Sequence, residues 1–150
     1  MLNDAPDAVT TSAMENQFGL ADRVVNEEAI ANSVQRFREQ KITLPTFAQL
    51  ADPKSFDQEA LVGDADPQGP DPRNLWRVHW YNDLQGNQVD VPEHVVLPST
   101  LTGVDAPIIV VFGDRFPMIT AHKVLAAYSC FAPRVVTGQF DPTVHRAVWP

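Results

Sequence analysis

The chain has 150 residues, 44% of them hydrophobic, and a formal net charge of −8 at pH 7 from 19 acidic and 11 basic residues. This length predicts one modest domain with one core. The acidic balance argues against nucleic-acid and anionic-membrane partners, and no apolar run approaches the roughly 20 residues of a membrane helix. Cys130 is the single cysteine, so no internal disulfide can form, which favours a cytoplasmic location.

The N-terminal third begins with a tail and continues with a helix. Residues 1–20 are small, polar and without periodicity, which predicts a disordered or extended tail. Asn26 is a good N-cap, and apolar side chains then recur at helical spacing, so we predict an amphipathic helix over residues 27–40. Lys41 stands at its C-terminal end, where the helix dipole favours a cation.

The rest of the segment 21–90 reads as a helical and irregular N-terminal extension. A short helix is predicted from Thr46 to Ala51, ended by Asp52 and Pro53. Proline, glycine and aspartate predict an irregular loop over residues 64–72 and a turn over 83–87. Between them, the aromatic segment 75–81 is compatible with either a strand or a helix.

The pattern changes after Pro92. Strands are predicted over residues 95–97, 107–112 and 144–149, the middle one fully buried. Thr120 is predicted as the N-cap of a helix from Ala121 to about Phe131. Strand, helix and strand in this order predict the start of an α/β domain over residues 91–150, incomplete without a following segment or a partner chain.

Lys123 is the strongest candidate for a chemical role. It falls in the first turn of the predicted helix, where the helix dipole and burial would both disfavour a positive charge. A neutral lysine amine attacks carbonyl groups and forms Schiff bases. Ala126, Ala127 and Cys130 share its helix face and leave space beside it. The alternative is a surface lysine whose stem covers apolar neighbours.

The segment 97–150 resembles the opening of the fold-type II pyridoxal-phosphate enzymes, the superfamily of tryptophan synthase β, cysteine synthase and threonine dehydratase. Leu97-Pro98-Ser99-Thr100-Leu101 resembles the family's threonine-proline-leucine segment, and Pro107-Ile108-Ile109-Val110-Val111-Phe112 resembles its strand leading to the active site. Arg115-Phe116 followed by Ala121-His122-Lys123-Val124-Leu125 is most similar to the diaminopropionate ammonia-lyase branch. Ala121 and Leu125 stand where many members have serine and arginine.

This resemblance implies a fold, a cofactor and one site residue. The fold would be the N-terminal portion of a three-layer αβα enzyme. Lys123 would hold pyridoxal 5'-phosphate as the Schiff-base lysine and act in catalysis. His122 adjoins Lys123 in sequence, and on that ground we expect it to lie beside the cofactor. The loops that bind the substrate carboxylate and the cofactor phosphate would come from a downstream segment or a second polypeptide, within a homo- or hetero-oligomer.

Other constellations are weaker. The four histidines show no metal-ligand spacing, so no metal site is predicted; they are His79, His94, His122 and His145. Cys130 lacks a local base and is expected to be a small packed residue. The aromatic residues of segment 75–81 favour a core or a subunit interface over a ligand-stacking platform.

Three functions remain open on the sequence. The first is a pyridoxal-phosphate-dependent lyase acting on an amino acid, inactive as this chain alone. The second is a β-replacement or thiolytic transferase of the same superfamily. The third, from a different class, is a non-catalytic interaction subunit, which the irregular stretch 53–92 favours.

Overall fold

The computed structural model describes residues 21–148, so the predicted tail over residues 1–20 lies outside the described residues. Within that range the chain divides into two compact units. One unit combines residues 21–41 with residues 128–148, and the other spans residues 42–127. None of the described helices is long and apolar enough to cross a lipid bilayer.

The first unit contains helix α1, Glu27–Gln40, which confirms the predicted helix and both of its ends. The Asn26 side chain accepts a hydrogen bond from the Ala29 backbone N–H at 3.1 Å, so one free donor of the first turn is satisfied. Lys41 ends the helix in the left-handed conformation, with φ of 55°. After α1, the unit is completed by the C-terminal part of a second long helix and the irregular segment that follows it.

The second unit begins with two short helices, α2 (Phe47–Ala51) and α3 (Gln58–Val62). Thr46 and Gln49 form a reciprocal capping box at the start of α2, which confirms the predicted short helix. A 3-10 helix, Pro72–Arg77, occupies the first part of the aromatic segment that was compatible with strand or helix. The predicted turn at residues 83–87 is confirmed by a hydrogen bond from Asp83 N to Asn87 O.

The core of the second unit is unusually polar. Five polar or charged side chains in it are at most 6% exposed: Gln58, Asn74, Arg77, His79 and Asn82. They bond to one another and to backbone carbonyls; for example, Asn82 Nδ2 donates to the carbonyls of Arg77 at 2.8 Å and His79 at 3.0 Å. Buried polar groups are tolerated when they are hydrogen-bonded in this way. The network therefore orders a stretch that has little regular secondary structure.

The sheet of the second unit has two antiparallel strands, β1 (His94–Leu97) and β2 (Ile108–Val111), joined through the short helix α4 (Ser99–Thr102). The prediction that the middle strand is fully buried is wrong, because all four β2 residues are exposed. Their apolar side chains suit a covered sheet, but the described residues place no layer over them. The predicted strand over residues 144–149 is also wrong as far as it is described: residues 144–148 form no strand.

The second long helix, α5, spans Lys123–Val136. The prediction that it starts at Ala121 under a Thr120 cap is wrong. The Thr120 hydroxyl donates to the Ile119 carbonyl at 2.8 Å, and its φ is 48°. The helix also continues beyond the predicted end at Phe131 and includes Pro133, which lacks the N–H of a regular helical bond. In broad terms the described chain is a mixed, roughly α/β structure with one small sheet.

Candidate functional site

The candidate site lies at the start of α5, where Lys123 is the first residue of the helix. The side chain is exposed, so the burial expected from the sequence is not supplied by the described residues. Ala126 and Cys130, which share its helix face, are exposed as well, and Ala127 is half-buried. The amine is therefore open to reagents and to other polypeptides, with small side chains rather than bulky ones beside it.

His122, the other residue predicted to touch the cofactor, contacts Trp80 of the second unit. The two rings are stacked, with centroids 6.1 Å apart and planes 20° from parallel. Offset stacking of this kind contributes about 0.5–1.5 kcal/mol beyond the burial of area. The backbone of Gly113 is also close to the His122 ring: a Cβ added to this glycine would be 3.0 Å from His122 Nδ1. The imidazole of this exposed residue thus contacts an indole on one side and lies near a backbone without a side chain on another.

Further contacts fix the connection from β2 to α5, defined here as residues 113–122. Phe116 is 1% exposed and packs edge-on against Trp80, with ring centroids 4.9 Å apart. The Met118 backbone N–H donates to the Pro67 carbonyl at 2.8 Å. The loop 64–72 and the aromatic segment 75–81 therefore hold the residues that lead to Lys123.

Arg115 contributes to the same connection through its charge. Its guanidinium pairs with the carboxylates of Glu93 and, at 2.8 Å, Asp114, and it lies 5.0 Å from the centroid of the Phe112 ring. The hydrogen bond that the Arg115 guanidinium donates to the Glu93 carboxylate raises the pKa of Arg115 above its usual value. Because two carboxylates surround it, Arg115 is occupied as an anchor of the loop and is poorly placed to bind another anion.

Two residues of this connection have an uncommon backbone conformation. Met118 and Thr120 have φ angles of 68° and 48°, the left-handed region that favours glycine. A non-glycine residue costs about 1–3 kcal/mol in such a conformation, and such residues cluster at functional sites. The strained positions lie within five residues of Lys123 in sequence, so the packing around Trp80 holds a backbone that local preferences alone would not select.

Two depressions of the second unit do not include Lys123 or His122. The first is a cavity of about 470 Å³ lined by the α3 residues Gln58 and Val62 together with Phe56, Arg77 and Asn87. The second is an open groove of about 490 Å³ beside Glu93 and Arg115. Lys123 is therefore an accessible group on a surface and not part of either concavity.

The remaining candidates of the sequence form no site among the described residues. No three histidine, cysteine, aspartate or glutamate side chains within residues 21–148 come together in a way that could hold a metal ion. Cys130 is exposed, against the expectation of a packed residue. His79 is buried in the polar core, while His94 and His145 are exposed and bonded locally.

Binding of pyridoxal phosphate requires an amine for its aldehyde, a site for its phosphate and a partner for its pyridine nitrogen. Residues 21–148 supply the first of these. They offer an accessible amine at a helix start for attachment to an aldehyde. Around it they offer neither a glycine-rich phosphate loop nor a free cation, since Arg115 is paired with acids. The residues fit covalent attachment, and the phosphate and pyridine nitrogen need groups from elsewhere.

Trp80 is the site residue that sequence reasoning missed. It belongs to the segment 75–81, whose aromatic residues predicted a core or an interface without naming a partner. Nothing in the spacing between Trp80 and His122 signals their contact, because it is made by folding of the extension onto the β2–α5 connection. No protein-family profile, curated protein or solved structure matches the chain.

Proposed function

We propose that this chain supplies the lysine that holds pyridoxal 5'-phosphate in an enzyme acting on an amino acid, most simply a lyase. The observation that supports the proposal is the position of Lys123. Its amine opens helix α5 at the end of a tightly held connection, accessible and flanked by small residues. An accessible lysine amine can form a Schiff base with an aldehyde.

When bound, pyridoxal phosphate withdraws electrons from the substrate's α-carbon. The contribution of this chain is the amine itself. Lys123 would hold the cofactor through its amine in the resting enzyme. Once the substrate amine had taken its place, the Lys123 amine would move a proton to or from the α-carbon. For both roles Nζ must point in a consistent direction. The packing of His122 and Phe116 on Trp80 supports the segment that precedes Lys123.

The rest of the pocket is proposed to come from a following segment or from a second polypeptide, in a homo- or hetero-oligomer. Six apolar residues of the two strands are at least 37% exposed: Val95, Val96, Ile108, Ile109, Val110 and Val111. Apolar side chains on both faces of a sheet are typical of strands covered on both sides. This supports a larger three-layer αβα domain, of which residues 91–150 would be the first part.

Two other functions remain proposals. A β-replacement or thiolytic transferase would use Lys123 in the same way, and the substrate-binding loops would distinguish it from a lyase. A non-catalytic interaction subunit is favoured by one specific observation, the same exposed apolar sheet, since contiguous apolar surface marks interaction sites. It differs from the enzymes in giving Lys123 no special reactivity.

Competition among the chain's own lysines tests the proposal. The sequence contains three of them, Lys41, Lys54 and Lys123. Substoichiometric pyridoxal phosphate is added to the full chain, the adduct is reduced with borohydride, and the peptides are mapped by mass spectrometry. Lys54 is a suitable internal reference because Asp90, 2.9 Å away, raises its pKa and favours the charged form.

We expect the reduced adduct mainly on Lys123. The Lys123→Arg variant should lose most of the label, and the matched control Lys41→Arg should keep it. Equal labelling of the three lysines would count against a special role for Lys123 and would favour the interaction subunit. The same conclusion would follow if Lys123→Arg retained the label of the unmodified chain.

A further inference from the structure

We propose that Trp80 is a positioning residue for Lys123, acting through His122 and the connection 113–122. The inference rests on the proposed function for its catalytic meaning, but it assigns a role to the N-terminal extension that the lysine alone does not give. Trp80 is half-buried and contacts two residues of the connection that precedes the lysine.

The geometry makes Trp80 the shared support of that connection. One contact is the edge-on packing against Phe116, and the other is the stacked arrangement with His122. These contacts are made at two points six residues apart in sequence, with the left-handed residues Met118 and Thr120 between them. A strained backbone persists only where its surroundings determine it, and here the surroundings are the indole and the Pro67 carbonyl.

His122 transmits this support to Lys123 because the two residues are adjacent at the helix start. The imidazole also lies close to the Gly113 backbone, since a Cβ on that glycine would be 3.0 Å from Nδ1. His122 is exposed, but its ring has Trp80 on one side and the Gly113 backbone on another, and we expect these contacts to limit the backbone at the first residue of α5 as well. Removing the indole should let the helix start and the amine sample several directions.

The test uses the full chain and three variants. Trp80→Leu removes the aromatic ring, Trp80→Phe retains an aromatic surface, and Trp76→Phe is the matched control. Trp76 is a buried tryptophan of the same unit that packs on Phe56 and bonds Thr43, with no contact to His122 among its described partners. A general loss of stability should appear in variants at Trp76 and at Trp80, whereas an effect on Lys123 should appear only in the Trp80 variants.

Two readouts separate this inference from the proposed function. The first is the NMR chemical shift of the His122 ring protons, which the indole ring current displaces while the stack is intact. The second is the ratio of pyridoxal-phosphate label on Lys123 to label on Lys41 after reduction. We expect Trp80→Leu to shift the His122 signals toward free-histidine values and to lower the ratio by about fivefold or more. Trp80→Phe should keep the His122 shifts and the labelling ratio close to those of the unmodified chain. Trp76→Phe should change neither quantity.

Should Trp80→Leu fail to fold, Gly113→Ala perturbs His122 from another side without altering the indole, and it should likewise lower the labelling ratio. Unchanged His122 shifts and an unchanged ratio in a folded Trp80→Leu or Gly113→Ala chain would overturn the inference. If the unmodified chain shows no preference for Lys123, the proposed function fails. Trp80 would then be confirmed as a support of His122 only by the NMR shifts, and its link to a reactive lysine would be refuted.

Discussion

Gly138 lies directly against the backbone of Asn26: a Cβ on this glycine would be 2.1 Å from the Asn26 carbonyl oxygen. Gly138 also has a φ of 77°, which side chains disfavour. Nearby, the Val25 N–H donates to the Thr137 carbonyl at 2.8 Å. The residue before α1 and the turn after α5 are therefore joined backbone to backbone, with no room for a side chain at this point.

Gly138→Ala should destabilise the unit that contains α1 by about 3 kcal/mol, from roughly 1 kcal/mol of left-handed strain and about 2 kcal/mol of overpacking. Chemical denaturation of the full chain measures the effect. The control is Gly103→Ala, which has a φ of 70° but nothing within 4 Å of the added Cβ, so only the strain should appear. Equal effects of the two substitutions would contradict the close approach of Gly138 and Asn26.

His79 should make the stability of the chain fall on mild acidification. Burial lowers its pKa from 6.5 to about 4. Between these values the unfolded chain binds the proton and the folded chain does not, so the free energy of unfolding decreases as the pH falls from 6.5 toward 4. Above pH 6.5 this group adds no pH dependence. The loss is worth up to about 3 kcal/mol.

Urea unfolding at a series of pH values measures the effect, and the NMR titration of the His79 ring identifies its source. The Tyr81 N–H donates to Nδ1 at 3.1 Å, and Nε2 lies 2.6 Å from Gln58 Oε1, so the neutral ring should carry its proton on Nε2. The substitution His94→Gln at an exposed histidine should leave the acid sensitivity in place. A His79 ring that titrates near pH 6.5 in the folded chain would contradict this prediction.

Arg77→Lys should destabilise the second unit by about 2 kcal/mol, since an ammonium cannot reproduce the planar guanidinium contacts. Arg77 is 6% exposed and donates to the carbonyls of Gly86 and Ala65, both at 3.0 Å, and to Asn74 Oδ1 at 2.6 Å. Chemical denaturation measures the change. The matched control is Arg73→Lys, at an arginine whose partners Asp64 and Asp71 form exposed or half-exposed pairs, and its stability should be nearly unchanged. Similar stabilities of the two variants would refute a structural role for Arg77.

The exposed sheet should bind hydrophobic probes and promote association. Val96 and Ile109 are cross-strand partners on one face, 54% and 60% exposed. The double substitution Val96→Lys with Ile109→Lys should reduce binding of the dye anilinonaphthalenesulfonate and concentration-dependent association in sedimentation experiments. Val144→Lys, at an exposed valine outside the sheet, is the control and should change both much less. If the control had the larger effect, the sheet would not be the associating surface.

Local signals in the sequence predicted the local structure well. Helix α1 was predicted with both ends because Asn26 caps it, acidic residues open it and apolar residues recur at helical spacing. The short helix predicted from Thr46 to Ala51 and the turn at residues 83–87 were likewise indicated by residues close together in sequence. In each case the residues that determine the structure lie within a few positions of one another.

The features that depended on distant partners were not predictable in the same way. A run such as Ile108–Val111 has the same composition whether or not another layer covers it, so its exposure could not be read from its pattern. Proline commonly ends a helix, yet α5 continues through Pro133. The sequence predicted Lys123 at a helix start, but the stack of Trp80 on His122 arises from tertiary packing and left no pattern in the chain.

The most direct test of the central proposal is a mass-spectrometric map of the native assembly, purified from cells that produce the chain and treated with borohydride before digestion. The proposal predicts a phosphopyridoxyl group on the peptide that contains Lys123, together with a second polypeptide or a further segment in the assembly. An unmodified Lys123 in that assembly, or a phosphopyridoxyl group on a different lysine, would contradict it.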